Sequence, residues 1–229
     1  MVITGASSGI GAATARFAAK RGARLVLAAR RADRIEALAA ELGDAIAVET
    51  DLRDPAQIQR MVDRSVDAFG GVDVLVNNAG QGLHVPFGEV KLADFVAVTE
   101  LNVYGPLLAM QAVLPSMRER GGGAIVNVSS GTTLMVPVGA GPYAASKAAL
   151  NMMSKVAREE LAGDGIVVST VYPFVTATEF LQTLRAGQGL ARTGLEPQTA
   201  EHVADAILEL IRTGEAESIL VPDSLRRGQ

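Results

Sequence analysis

The run Thr4-Gly5-Ala6-Ser7-Ser8-Gly9-Ile10-Gly11 directly follows the apolar pair Val2-Ile3 and opens a segment in which Ile10, Thr14, Phe17 and Ala18 fall on one helical side. Strand, glycine-rich turn and helix in that order are the start of a βα unit built to receive an anion. Gly5 permits the tight turn, Gly9 lets backbone N–H groups come close to a pyrophosphate, and Gly11 allows close helix packing. The positive end of the helix dipole favours the same charge. Gly5, Ser7, Ser8, Gly9, Ile10 and Gly11 are therefore read as a dinucleotide turn. Its spacing is Gly-x-x-x-Gly-x-Gly rather than the more general Gly-x-Gly-x-x-Gly, and taken alone an ordinary tight turn fits it equally well.

Outward from that turn, short apolar runs at 2–4, 24–29, 45–49, 72–77, 124–128, 167–172 and 218–221 alternate with helical patterns. This predicts an α/β protein: a three-layer, doubly wound Rossmann fold with a parallel sheet of about seven strands, residues 1–229 forming one domain. Asp54 and Pro55 predict the start of a helix ended by Gly70-Gly71. A longer helical pattern over 94–120 contains Gly105, Pro106 and Pro115 and is expected to break or bend; another helix is expected over 143–161. The glycine-bearing stretch 183–198 suits a mobile substrate flap, drawn at about 179–198.

With 229 residues, 48% of them hydrophobic, the chain can bury a full core. A net charge of -4 provides no basic field for a phosphate backbone or an anionic bilayer, so neither nucleic acid nor membrane is expected as a partner. No run approaches a membrane span and no basic, apolar leader opens the chain, which makes a cytoplasmic protein the expectation. There is no cysteine, and two histidines alone do not make a metal cage.

The choice between dinucleotides is expected at the end of the second strand, where an acidic side chain would take the adenosine ribose hydroxyls. That stretch is Leu27-Ala28-Ala29-Arg30-Arg31. Ala29 has no carboxylate, whereas Arg30 and Arg31 suit a 2′-phosphate, so the cofactor expected is NADP(H) ahead of NAD(H). Two arginines opening a helix also make an ordinary solvated face.

Tyr143-Ala144-Ala145-Ser146-Lys147 places a phenol and an ammonium one helical turn apart on one face, and Ser130 ends the strand before it. A phenol titrates near 10 in water, and a neighbouring cation favours its anion. Such a phenol can give a proton to a carbonyl oxygen or take one from an alcohol, with the serine hydrogen-bonding the same oxygen. Any one of these residues has a plainer reading, Ser129-Ser130 as a turn cap or Tyr-x-x-x-Lys as an uninformative helix pair.

Together with the glycine turn, Asp51-Leu52, Asn77-Asn78-Ala79-Gly80, Asn102 and Pro173 through Thr178, these motifs run nearly the whole chain, and the sequence resembles the classical short-chain dehydrogenase/reductase family. The resemblance implies an oxidoreductase acting on CH–OH groups of a small alcohol or carbonyl compound, with Ser130, Tyr143, Lys147 and Asn102 as its catalytic set. Lys147 would also contact the nicotinamide ribose, and Asn102 would hold a water linking the lysine to solvent. Asp51 and Leu52 would meet the adenine, Asn78, Ala79 and Gly80 would border the adenosine, and Pro173, Thr176 and Thr178 would meet the carboxamide. It also implies a homodimer or homotetramer built on the helices of 94–120 and 143–161. For Asn102, a mid-helix asparagine satisfying a nearby carbonyl is an alternative. Asn78-Gly80 can be a simple turn, and Asp51 can cap the segment after its strand.

Three features depart from the family pattern. Phe174 stands where glycine is usual, which predicts a shifted backbone there. Ser8 occupies a loop position where NADP-preferring members often carry a basic residue. Only three residues precede Thr4, so a longer native start is an expectation. Leu83, His84, Phe87, Leu134, Met135, Val136 and Val138 are expected to line a largely apolar pocket or else belong to the core, with a hydrophobic ketone or aldehyde as substrate. The rival readings are an NADP-sensing regulatory module without turnover and a nucleotide-sugar epimerase or dehydratase. The intact Ser130, Tyr143 and Lys147 disfavour the first, and the short C-terminal part the second.

Overall fold

The computed structural model describes residues 1–188 and 196–222. Seven strands, β1 (Val2–Thr4), β2 (Leu25–Ala29), β3 (Ala45–Glu49), β4 (Val74–Asn77), β5 (Gly123–Val128), β6 (Ile166–Tyr172) and β7 (Glu217–Ile219), form one sheet in the order β3-β2-β1-β4-β5-β6-β7. Every pairing is parallel. Side chains alternate across it: Ile3, Leu25 and Leu27 enter the core on one face, Val2, Val26 and Ala28 the core on the other. Helices α1 (Gly9–Lys20), α2 (Ala32–Leu42) and α7 (Ala200–Thr213) cover the first face. The second is covered by α3 (Pro55–Phe69), α5 (Gly105–Glu119) and α6 (Gly141–Leu161), with α4 (Leu92–Thr99) against α6. The three-layer, doubly wound architecture expected from the sequence is the one present.

Local signals act at the residues that carry them. Asp54 caps α3 by accepting from the Ala56 N–H at 2.9 Å, with Pro55 at the first helical position. The break in the 94–120 pattern lies just ahead of Gly105-Pro106, which open α5, and α5 runs on through Pro115 to Glu119. Between α4 and α5 the chain makes a π-helical turn, Glu100–Tyr104. Pro106 has no N–H to return to the carbonyl four residues back, which belongs to Asn102, and its ring crowds that carbonyl, so the helix widens there. The expected flap is in part a 3-10 turn, Glu179–Gln182, tied by isolated bridges between His84 and Gly187 and between Thr176 and Gln198. Residues 189–195 of that expectation lie outside the described residues.

The strand order reverses between β1 and β4, so the crossover helices on either side diverge and leave a crevice at the carboxyl ends of these strands. The glycine turn after β1 and the Asn78-Gly80 segment after β4 meet at that point.

Candidate active site

A cavity of about 710 Å³ follows the carboxyl edge of the sheet from the glycine turn to Tyr143 and Lys147. Gly5, Ser7, Ser8, Gly9 and Ile10 line one end. Gly11 faces away from it: a Cβ there would lie 2.5 Å from the Gly5 carbonyl oxygen and 2.6 Å from Asn78 Nδ2. Its role is therefore the close helix packing read from the sequence. Gly5, at a φ of +66°, lies where a side chain would be 2.8 Å from the Ala79 Cα. Asn78 and Ala79 in turn donate their N–H groups to Thr4 Oγ1 at 3.0 and 3.1 Å, and Asn78 Nδ2 donates to the Thr4 carbonyl at 2.9 Å. The turn is thus held from behind by the end of β4. Asn78, Ala79 and Gly80 also line the cavity. The Ser8 side chain caps none of the first N–H groups of α1, which leaves the helix entrance the donor set an anionic pyrophosphate needs. The chain's own residues fit a dinucleotide here.

At the same end of the cavity as the glycine turn lie Arg30, Arg31, Asp51 and Leu52. Arg31 reaches across to the glycine turn, its guanidinium donating to Ser7 Oγ at 2.9 Å and Ser8 Oγ at 2.6 Å. The positive charge that Ser8 does not supply is thus brought to the loop from the head of α2. The same guanidinium pairs with Glu179 at 2.9 Å, as does Arg34, and both cations hold the Glu179 carboxyl below the usual carboxylate range. Arg30 is exposed at the rim. Asp51 is engaged by Arg53, whose Nε and backbone N–H both donate to Asp51 Oδ1 at 3.0 Å and lower its pKa. It therefore faces the cavity and caps the adjoining turn at once.

Ser130, Tyr143 and Lys147 converge at the other end, all buried. β5 delivers Ser130 and α6 delivers the other two one turn apart. The Ser130 hydroxyl caps the turn Gly131–Thr133, accepting from the Thr132 N–H at 3.2 Å and from Thr132 Oγ1 at 2.9 Å. Both bonds use its lone pairs and leave its proton to give. Lys147 Nζ donates to the Val128 carbonyl at 2.8 Å, and burial lowers its pKa to about 8. Burial acts on Tyr143 in the opposite sense, pushing the phenol up to about 12, with the Ser130 hydroxyl pulling it down. The sequence alone suggests a depressed phenol; in this structure desolvation is the larger influence, and the Ser130 hydroxyl is what opposes it. Asn102, in the π-helical turn, is fully buried, and its amide clamps the Gln81 backbone, N–H and carbonyl at 2.9 Å each, and donates to Ser146 Oγ at 3.0 Å. A Cβ at Gly80 would lie 3.3 Å from Asn102 Oδ1 and 3.4 Å from Lys147 Nζ, so that glycine lets the two groups approach the backbone beside each other.

After β6, Pro173, Thr176 and Thr178 line the cavity. Phe174 avoids the glycine-only conformation, as does every other non-glycine residue described. Its N–H donates to Gln198 Oε1 at 3.2 Å, and its ring lies against Gly131, where a Cβ would come within 2.8 Å. Thr176 donates to the Phe174 carbonyl at 2.9 Å, and Thr178 caps the turn that carries Glu179.

The expected apolar wall is different from the one present. Among the residues expected there, His84 and Met135 line the cavity, Leu83 is core, and Phe87, Leu134, Val136 and Val138 are exposed. Phe174, Phe180 and Leu181 take their place, with the Phe180 ring 5.6 Å from that of Tyr143. Nothing in the periodicity of the sequence marks Phe180 or Glu179, because both act through neighbours far along the chain.

Among the described residues no group of acidic or histidine side chains is placed to hold a metal, and no helix is long and apolar enough to cross a membrane. A sulfoacetaldehyde reductase of Chromohalobacter salexigens is 38% identical to the chain over 216 residues, 92% of this chain and 86% of that protein. A 3-ketoacyl-(acyl-carrier-protein) reductase from Brucella melitensis, solved with NADH, superposes with a TM-score of 0.89 at 27% identity, covering 96% of this chain and 95% of that one. An alcohol dehydrogenase from the archaeon Thermococcus sibiricus, solved with 5-hydroxy-NADP, gives 0.85 at 27% identity over 96% and 94%. The family model for short chain dehydrogenases matches residues 1–189, and the chain belongs to that family, as an oxidoreductase with a Rossmann-type nucleotide-binding fold.

Proposed function

We propose that the chain is an NADP(H)-dependent oxidoreductase that interconverts a small alcohol and its carbonyl compound, with Tyr143 as general acid and base. The observation that carries this reading is the buried convergence of Ser130, Tyr143 and Lys147 in the same cavity as the glycine turn. A bound nicotinamide dinucleotide would supply or accept the hydride. The chain's own part is the proton. Ser130 donates a hydrogen bond to the substrate oxygen and orients it, keeping its own proton. Tyr143, protonated across the physiological range, passes its phenolic proton to that oxygen as negative charge develops there. Lys147, charged below about pH 8, stabilises the phenolate left behind. Asn102 holds the Gln81 backbone beside Lys147 and so positions it.

The preference for the 2′-phosphate is supported by Ala29 without a carboxylate, Arg30 at the cavity rim and Arg31 laid across Ser7 and Ser8. Adenine recognition falls to Asp51 and Leu52, and the carboxamide to Pro173, Thr176 and Thr178. A homodimer or homotetramer is part of the same reading, since Val96, Tyr104, Leu107, Met152 and Val156 stand exposed on α4, the π-helical turn, α5 and α6. Light scattering at micromolar concentration should return two or four times the chain mass of 23.8 kDa. A cytoplasmic site of action completes it.

The test is the absorbance change of NADPH and of NADH with a panel of ketones and aldehydes, for the wild type and Tyr143→Phe. Oxidation of NADPH that disappears in the variant while cofactor binding persists is the expected result. Binding without turnover on any carbonyl overturns the reading.

A further inference from the structure

His84 is 93% shielded from solvent, and among the described residues only the Gln188 backbone faces its imidazole, leaving at least one ring nitrogen without a hydrogen-bond partner. A neutral imidazole carries one donor and one acceptor, and leaving either unmade in the interior carries a desolvation penalty that no hydrogen bond offsets. Buried polar groups without partners in a cavity wall point to a ligand that completes them. The His84 ring lines the cavity and meets the ring of Tyr143 edge to face at 5.7 Å. Its backbone is fixed: the N–H donates to the Ala186 carbonyl at 3.1 Å, and a Cβ at Gly187 would fall 1.6 Å from the His84 carbonyl oxygen, so only glycine fits against it.

The donor groups of the other polar side chains around the reacting centre are already engaged. Gln81 Nε2 donates to the Thr183 carbonyl at 2.9 Å, Thr132 Oγ1 to Ser130, and Thr183 Oγ1 to the Phe180 carbonyl. Met135, Phe174, Phe180 and Leu181 supply apolar surface. Among the described residues lining the cavity, the cations are Lys147 at the reacting centre and Arg30 and Arg31 at the nucleotide end. Among the described residues a carboxylate or sulfonate beside His84 would meet no formal positive charge of its own, and burial, against the pull of the Gln188 backbone, holds the imidazole toward its neutral form.

We propose that His84 determines substrate specificity by hydrogen-bonding a neutral oxygen, a hydroxyl or second carbonyl, that the substrate carries close to its reacting carbon. The substrate class is thus a hydroxyketone, hydroxyaldehyde or dicarbonyl compound rather than a purely hydrocarbon ketone. This rests on the carbonyl-reductase reading above. His84 discriminates because an analogue lacking the oxygen leaves a buried nitrogen unpaired.

The experiment measures kcat/KM with NADPH for hydroxyacetone against butanone, and for 4-hydroxy-2-butanone against 2-pentanone, each pair exchanging hydroxyl for methyl. Pyruvate is the anionic comparison. Wild type, His84→Phe and His84→Gln are compared. In at least one pair the wild type favours the hydroxyketone by about tenfold or more. His84→Phe abolishes that preference while turning over the alkyl ketone within about twofold of the wild type, and His84→Gln, which keeps a donor and an acceptor, restores part of it. Equal losses on both members of each pair assign His84 to packing and overturn the proposal. So does a wild type with no preference in either pair, or one whose selectivity, lost in His84→Phe, is for pyruvate. Should His84→Phe fail to fold, the His84→Gln and His84→Leu variants make the same comparison. Turnover of 2-pentanone by the wild type reports separately on carbonyl reduction: if no ketone is reduced at all, the broader reading fails, and this one with it.

Discussion

The two ends of the cavity use charge in opposite ways. Around Tyr143 and Lys147 both titratable groups are buried, and loss of water shifts both toward their neutral forms, the phenol to about 12 and the ammonium to about 8. Around Arg31 the charges are permanent and their pairs half in water, with side chains of Arg31 and Glu179 39% and 43% exposed. In the first region a proton is held where desolvation makes its position matter by several powers of ten; in the second, screened ion pairs adjust an affinity. The lesson is that chemistry and cofactor choice can change independently in this chain, since they rest on different dielectric environments.

The comparison breaks most sharply at Tyr143. Replacement by Phe should lower kcat/KM by about 10²–10⁴-fold, with NADPH affinity, read by fluorescence titration, within about threefold of the wild type. A loss of both together would mean that the two ends are not independent.

Lys147 comes next. Its charge supports the phenolate that remains after proton donation, and its pKa lies near 8. Carbonyl reduction should accordingly be flat on the acid side and fall as pH rises through about 8. In Lys147→Met the plateau should drop roughly 100-fold and that limb should vanish from a profile between pH 6 and 10. A limb that survives in the variant belongs to another group.

At the exposed end, Arg31→Ala should weaken NADPH binding by about 10- to 100-fold and leave NADH nearly unchanged. Equal weakening of both would make Arg31 a brace for Ser7 and Ser8 and leave the phosphate to Arg30. The smallest change is expected from Glu179→Gln. Releasing Arg31 and removing a nearby anion should tighten NADPH by about two- to fivefold at low salt, an advantage that fades as salt is added.

The features legible in the sequence are local or periodic. The seven apolar runs, the Asp54-Pro55 helix start and the glycine turn each state their structure within a few residues, and the family motifs name the residues that the cavity brings together. The features that are not legible depend on partners far along the chain. Arg31 meets Glu179 across 148 residues, and the Phe180 ring reaches Tyr143 from a segment that composition marks only as loose. Phe87, Val136 and Val138, apolar enough to suggest pocket or core, are neither, because adjacency in sequence to a motif says nothing about which way a loop residue points. The direction of the Tyr143 shift escapes the sequence for a related reason: helical spacing gives the distance to a cation but not the depth of burial that raises the phenol.

The π-helical turn at Glu100–Tyr104 holds one more residue than an ordinary turn would. Each residue of an α-helix advances the chain by about 100° about its axis, so the extra one sets the phase between α4 and everything downstream. Deleting a single residue there would give a straighter, more regular helix, yet it would swing Val113 and Met117 about a quarter-turn off the sheet if α4 stayed seated on α6. Asn102 therefore sits in a geometric ratchet. Insertions and deletions around it are penalised by the helix faces on either side, whatever the asparagine itself contributes, and length variation in this stretch should be rarer than substitution.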